Sequence, residues 1–158
     1  MGVECMSTKT HDEMIKRAVD WARSLGYGIV ESNLGTKTGA DAIFQNQFSE
    51  RVILEVVTGS GFKGLFNKPR IKEIFGTSRY WIEPETLGLI IVGDRVDQVK
   101  NHGLEAGLPE EIFDPPYQRI FPVLARDFKE VIPVLLVSLL GSRASLHARE
   151  YHEMASHP

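Results

Sequence analysis

Two short strand-like runs, each with one carboxylate, constrain the fold of this chain most strongly. The runs are residues 39–44 (GADAIF) and residues 51–57 (RVILEVV). A hairpin centred on Phe48 places Asp41 directly opposite Glu55, and directly opposed side chains have Cβ atoms roughly 4.5 to 5.5 Å apart. Side chains alternate between the two faces of a strand. Both carboxylates therefore share a face with three apolar residues, Ile43, Ile53 and Val57.

Two paired carboxylates among apolar side chains need compensation. They repel each other and are poorly solvated, so either one of them takes up a proton or a cation sits between them. A divalent metal bound by oxygen ligands is the simplest such cation. Two other interpretations stay open: Asp41 caps a turn after Gly39, or Glu55 pairs with a lysine or arginine on an edge strand. A register shifted by one residue would place the two side chains on opposite faces.

Length and composition indicate one compact domain, 1–158, with a sizeable core, since 42% of the 158 residues are hydrophobic. The formal net charge of -3 excludes a uniformly basic nucleic-acid-binding protein, so such a role needs a local basic patch. The single cysteine, Cys5, excludes a disulfide framework. Without a signal-peptide pattern or an apolar run of membrane-spanning length, the sequence predicts an intracellular, cytoplasmic protein.

Hydrophobic periodicity predicts helices and strands in alternation. A first helix from Thr10 to Gly26 opens with a capping-box pattern, Thr10 to Glu13, and ends at a glycine. The later predicted elements are a strand at 27–32, the hairpin strands at 39–44 and 51–57, a helix between 65 and 80, a buried strand at 87–92 and a helix at 94–102. This order, αβββαβα, favours an α/β fold with a mixed sheet flanked by helices.

The C-terminal third of the chain has weaker signals, and we treat 103–158 as an extension of a core that covers about 10–102. Residues 108–122 hold four prolines and predict an irregular loop. The apolar segment 131–140 fits either a strand or a buried helix. This segment either covers the core or mediates formation of a homodimer.

In this arrangement the residues resemble the PD-(D/E)XK nuclease superfamily, whose members have the restriction-endonuclease-like fold. The resemblance covers the predicted core and depends on Glu13 early in the first helix, Gly-Ala-Asp41 before the second strand, and Glu55 in the third. It implies that Asp41, Glu55 and the carbonyl of Val56 bind Mg²⁺ or Mn²⁺. It also implies an endonuclease that hydrolyses DNA phosphodiester bonds with a metal-activated water. Because the capping box already accounts for Glu13, we favour a cap over a metal ligand there.

One position departs from the superfamily pattern. Members with the full motif have a lysine two residues after the second carboxylate, where it orients or deprotonates the attacking water, and this chain has Val57 there. Catalysis then needs a lysine from elsewhere, and Lys63 is the first candidate, with Lys37 and Lys72 as alternatives. If none serves, the chain is a catalytically inactive DNA-binding or assembly module of the same fold.

A basic segment supplies the candidate DNA-binding surface. Between residues 63 and 79 only Glu73 opposes five basic side chains. Four of these are the candidates for backbone-phosphate contacts, Lys68, Arg70, Lys72 and Arg79. We assign Tyr80 and Trp81, at the end of the segment, to the core.

A remote alternative is a dinucleotide-binding turn. Residues 59–64, GSGFKG, match the GxGxxG pattern between a predicted strand and a predicted helix. The acidic residue expected about 20 positions further on falls in a proline-containing loop, and only one clear strand follows. This function therefore ranks below the nuclease.

Overall fold

A five-stranded mixed sheet with helices packed against it forms the part of the chain that the computed structural model describes, residues 8–32, 40–57, 65–66 and 86–141. The helices are α1 (Thr8–Ser24), α2 (Val99–Glu105) and α3 (Phe128–Leu136), and the strands are β1 (Gly28–Ser32), β2 (Ala42–Gln45), β3 (Arg51–Val56), β4 (Thr86–Gly93) and β5 (Ile120–Leu124). Short 3₁₀ turns precede α2, β5 and α3. The coarse prediction of an α/β fold with a mixed sheet is confirmed.

The direction of the strands brings several chain segments together at one end of the sheet. The strands lie in the order β1-β2-β3-β4-β5, in which β2 is antiparallel to both neighbours, whereas the β3–β4 and β4–β5 pairs are parallel. Four strands therefore run towards the end at which β2 begins. We call this end, marked by Ser32, Ala42, Val56, Gly93 and Leu124, the carboxyl end of the sheet. In open α/β sheets it is the usual place of ligand sites.

The β2–β3 hairpin has the predicted register. Ala42 pairs with Leu54, and Gln45 pairs with Arg51 beside the loop, so the hairpin is centred on Phe48. A shift by one residue, which would separate the two carboxylates, is thereby excluded.

Asn46 organises the loop of this hairpin. Its Oδ1 accepts hydrogen bonds from the backbone N–H groups of Phe48, at 2.9 Å, and Glu50, at 3.1 Å. Its Nδ2 donates to the carbonyl of Leu140 at 3.1 Å. Leu140 belongs to a π-helical turn, Val137–Gly141, that extends α3. One buried amide therefore fixes the loop and also ties it to the C-terminal helix.

The sheet separates two apolar layers. On one face, α1 and α3 contribute the side chains of Ile15, Ala18, Ala22, Phe128, Ile132 and Leu136, which pack on Phe44, Leu54 and Ile90. On the other face, Val99, Ile112 and Phe113 pack on Ile43, Ile53, Leu89 and Ile91. Every residue of β4 is buried, as expected of a strand covered on both faces. Burial of one such large side chain contributes about 1.5–3 kcal/mol.

Helix α1 ends as predicted but begins earlier. At its end the N–H of Gly26 donates to the carbonyl of Arg23, and the N–H of Tyr27 donates to that of Ala22, which is a Schellman motif with Gly26 at φ 88°. At its start Thr8 is already helical, so Thr10 is the third helical residue. The predicted capping box from Thr10 to Glu13 is therefore wrong, because a cap must lie at the helix boundary.

Residues 103–141, the described part of the C-terminal third, are more regular than their sequence indicates. The predicted loop over 108–122 ends in β5, an edge strand that contains Pro122. An edge strand tolerates proline because its outward N–H groups need no ladder partner. The ambiguous segment 131–140 is helical, in α3 and the π-helical turn. Its buried residues cover the core, and the homodimer stays a prediction.

Gly103 packs α2 tightly against the following 3₁₀ turn. A Cβ at this position would lie 2.9 Å from Cε1 of the buried Phe113 ring. In an open helix, Gly→Ala stabilises by about 1 kcal/mol, but overpacking costs about 1–3 kcal/mol. We expect Gly103→Ala to lower the free energy of unfolding in urea titrations, by up to about 2 kcal/mol. Phe113→Leu should relieve part of this loss, and a stabilised Gly103→Ala would contradict the packing.

Several predictions fall outside the part of the chain that the structure describes. These are most of the helix between 65 and 80, the GxGxxG turn at 59–64, and Tyr80 and Trp81. Leu65 and Phe66 are described, and both are buried in the apolar layer that also holds Val57. None of the helices in the described ranges is long and apolar enough to cross a membrane.

Candidate functional site

The predicted carboxylate pair lies at the carboxyl end of the sheet. Asp41 directly precedes β2, and Glu55 is the second-last residue of β3. Ala42 pairs with Leu54, so Asp41 and Glu55 are the residues directly beyond the last pair of this ladder. Asp41 is 2% exposed and Glu55 is 0% exposed. The hairpin thus buries two carboxyl groups at the place where the strands end.

Among the described residues, two groups hold Asp41 through hydrogen bonds. The backbone N–H of Val56 donates to its Oδ2 at 2.7 Å. The Nε2 atom of His11 lies 3.2 Å from the same oxygen. Neither contact uses Oδ1. Asp41 therefore accepts a hydrogen bond from the end of β3, and not from a turn that follows Gly39, so the turn-cap interpretation is not supported.

His11 is the residue of this site that the sequence prediction missed. It connects the start of α1 to the sheet, since Nε2 faces Asp41 while Nδ1 lies 3.1 Å from Oδ1 of Asp12. The hydrogen bond with Asp41 raises the pKa of His11 to about 9, against the opposing effect of burial, and Asp12 adds to the rise. His11 is therefore an imidazolium at neutral pH, and it supplies a positive charge beside Asp41.

A signal for His11 was present in the sequence. It shares a helical stripe with Ile15, Ala18 and Ala22, which lie four, seven and eleven residues further along and are all buried. A titratable side chain at the end of a buried stripe faces the sheet. The resemblance depends on Glu13 in this helix rather than on His11, and the side chain of Glu13 is exposed.

The donor chemistry of the site fits a hard divalent cation. Carboxylate oxygens of Asp41 and Glu55 and the carbonyl of Val56 are ligands of the type Mg²⁺ prefers, and Mg²⁺ is usually held by one or two carboxylates and several waters. Within the described ranges, no three His, Cys, Asp or Glu side chains are grouped so that they could hold a metal. A metal here would therefore be bound by the two carboxylates, backbone and water.

The position of the missing lysine is apolar in the fold as well as in the sequence. Val57 is 6% exposed and packs with Ile43 and Ile53. No base can act from this position. The proposed substitutes Lys63, Lys37 and Lys72, and the predicted DNA-contacting residues Lys68, Arg70 and Arg79, lie outside the described residues.

Comparison with known proteins gives no relative for this chain. No model of a protein family, no curated protein and no solved structure matches it. Its function has to be inferred from the residues of the site.

Proposed function

We propose that this chain is a metal-dependent endonuclease of restriction-endonuclease-like architecture that hydrolyses DNA phosphodiester bonds. The observation that carries the proposal is the buried pair Asp41 and Glu55 at the carboxyl end of the sheet. The order of α1 and three antiparallel strands, followed by β4 parallel to β3, supports the fold assignment. Two carboxyl groups in apolar surroundings are costly for stability, so their burial needs a compensating partner.

In the proposed site, Asp41, Glu55 and the carbonyl of Val56 would hold Mg²⁺ or Mn²⁺. The metal, when bound, supplies a Lewis acid for the phosphate and lowers the pKa of a bound water. The N–H of Val56 and the ring of His11 orient the Asp41 carboxylate through Oδ2. The imidazolium of His11 adds positive charge where a phosphodiester anion would approach. Lys63 is proposed to orient the attacking water.

A second candidate function keeps the fold without the chemistry. The apolar, buried Val57 at the lysine position favours an inactive DNA-binding or assembly module. His11 also favours it, because an imidazolium can compensate Asp41 without any metal. This alternative differs from the nuclease in one property: it binds DNA in chelator but does not cleave DNA when a divalent ion is present.

The test is a cleavage assay on labelled linear duplex, single-stranded and branched DNA, with Mg²⁺, with Mn²⁺ and with chelator. We expect cleavage only with metal, and its loss in Glu55→Gln, an isosteric change that removes the carboxylate. Metal-dependent cleavage that survives in Glu55→Gln would come from a contaminant or from another site. DNA binding in chelator without cleavage of any substrate would favour the inactive module.

A further inference from the structure

A groove of about 600 Å³ separates α1 from the segment that joins β5 to α3. We call it the α1–α3 groove. Four cationic side chains line it, Lys16 and Arg17 on α1, and Arg126 and Lys129 at the start of α3. Two carboxylates, Glu13 and Asp20, also line it, so its formal net charge is +2 from four cations and two anions. This surface is basic on a chain whose total charge is -3.

The cations of the groove are available to a ligand. Lys16, Arg17, Arg126 and Lys129 are all exposed. Within the described residues, Arg126 forms one loose ion pair, with 3.9 Å between its Nε and Oδ1 of Asp127, and its side chain is 79% exposed. Exposed pairs of this kind are worth little energy, so an incoming anion can replace Asp127. The guanidinium of Arg17 lies 5.9 Å from the centre of the Trp21 ring, which supports it from one side.

The groove opens at the same end of the sheet as the candidate site. The segment from β5 to α3 starts at Leu124, at the carboxyl end of the sheet and three strands away from Asp41 at the start of β2. On the other wall, the lining residues begin at Thr10 and continue to Asp20, and His11, the partner of Asp41, follows Thr10 directly. With a rise of about 1.5 Å per residue, this wall is about 15 Å long. Its end next to His11 is the end nearer to Asp41.

We infer that the α1–α3 groove binds the backbone of one nucleic-acid strand, with one end of the groove next to His11, the partner of Asp41. The inference rests on the proposed function for the identity of the partner. A length of about 15 Å corresponds to roughly four nucleotides at the rise of about 3.4 Å per nucleotide of one strand. A single small anion needs one cluster of donors, whereas this groove has cations on both walls. Contacts of this type are salt-dependent and independent of sequence.

The α1–α3 groove is a second candidate for binding nucleic acid, separate from the basic segment at 63–79. Lys16, Arg17, Arg126 and Lys129 gave no motif in the sequence, because α1 and the start of α3 are more than 100 residues apart in the chain. Glu13 and Asp20 keep the groove from being a uniformly basic surface. Because these two acidic residues lie on α1, phosphate groups are expected to contact the opposite wall, at Arg126 and Lys129.

The experiment measures binding in chelator, so that catalysis does not enter. Fluorescence anisotropy with a labelled 20-nucleotide single strand and a 20-base-pair duplex compares wild type with Arg126→Glu/Lys129→Glu. The matched control is Arg23→Glu/Arg95→Glu, which makes the same change of net charge at two exposed residues outside the groove. Thermal unfolding of each variant checks that it is folded, and Arg126→Gln/Lys129→Gln provides a milder pair.

We expect the groove variant to bind at least tenfold more weakly than the control. The slope of log K against the logarithm of the salt concentration should be smaller in magnitude by about 1.4–1.8, because two phosphate contacts are lost. Equal weakening in both variants, unchanged affinity of the groove variant, or no binding by wild type would each overturn the inference. If wild type cleaves DNA and the groove variant binds as tightly as the control, the inference about the groove is wrong and the proposed function stands. If only the groove variant loses binding and wild type cleaves no DNA, the inference about the groove stands and the nuclease function is wrong.

Discussion

Replacement of Asp41 by asparagine is expected to lower metal-dependent cleavage by on the order of 1,000-fold while the protein stays folded. An amide at this position can still accept the hydrogen bond from the N–H of Val56. It lacks the negative charge that a metal needs, and loss of several kcal/mol of charge stabilisation corresponds to a factor of this size. The rate would be measured in single turnover with saturating Mg²⁺ or Mn²⁺.

Asp41→Ala separates the catalytic from the structural role of the same side chain. Alanine removes the acceptor as well as the charge, so the N–H of Val56 loses its partner in a buried place. An unsatisfied buried donor costs about 1–3 kcal/mol. We expect Asp41→Ala to be less stable than Asp41→Asn in urea and equally inactive. Cleavage by Asp41→Asn at the wild-type rate would exclude Asp41 from the chemistry.

The stability of the protein is expected to fall as the pH rises through the pKa of His11. The folded-state pKa is raised from 6.5 to about 9, chiefly by the hydrogen bond with Asp41. A raised pKa means that the folded state binds the proton more tightly, so the stabilisation is fully present below pH 6.5 and is lost by about pH 9. At about 1.4 kcal/mol per pH unit, the free energy of unfolding falls by at most about 3.5 kcal/mol.

Urea titrations at several pH values between 6 and 10 would measure this loss. The matched variant is His11→Gln, which should not show this part of the pH dependence because its side chain does not titrate. An NMR titration of the His11 ring should give a pKa near 9 in wild type. In Asp41→Asn the pKa should be much lower, since the main cause of the rise is gone and burial acts in the opposite direction. Equal pH slopes in wild type and His11→Gln would show that the pair does not stabilise the fold.

The sequence determined the parts of this protein that depend on local periodicity. The apolar stripe of α1 and its terminal Gly26, the uninterrupted β4 and the register of the β2–β3 hairpin follow from spacing along a continuous segment. The placement of Asp41 and Glu55 at the same end of the hairpin belongs to this group, because a hairpin centred on Phe48 fixes the positions of both residues at once. The departure at Val57 was also visible in the sequence.

Only the tertiary structure decided the features that depend on contacts between distant segments. His11 meets Asp41 across 30 residues, and the partnership exists only because α1 crosses the sheet with its first turn at the carboxyl end. Pro122 gave a loop signal, yet β5 forms because an edge strand can leave one side of its backbone without ladder partners. The apolar run in 131–140 fits a strand or a helix by composition alone, and packing of Ile132, Leu136 and Leu140 against α1 and the sheet selects the helix. Local spacing fixes which side chains share a face, whereas burial against a distant element fixes which of them meet.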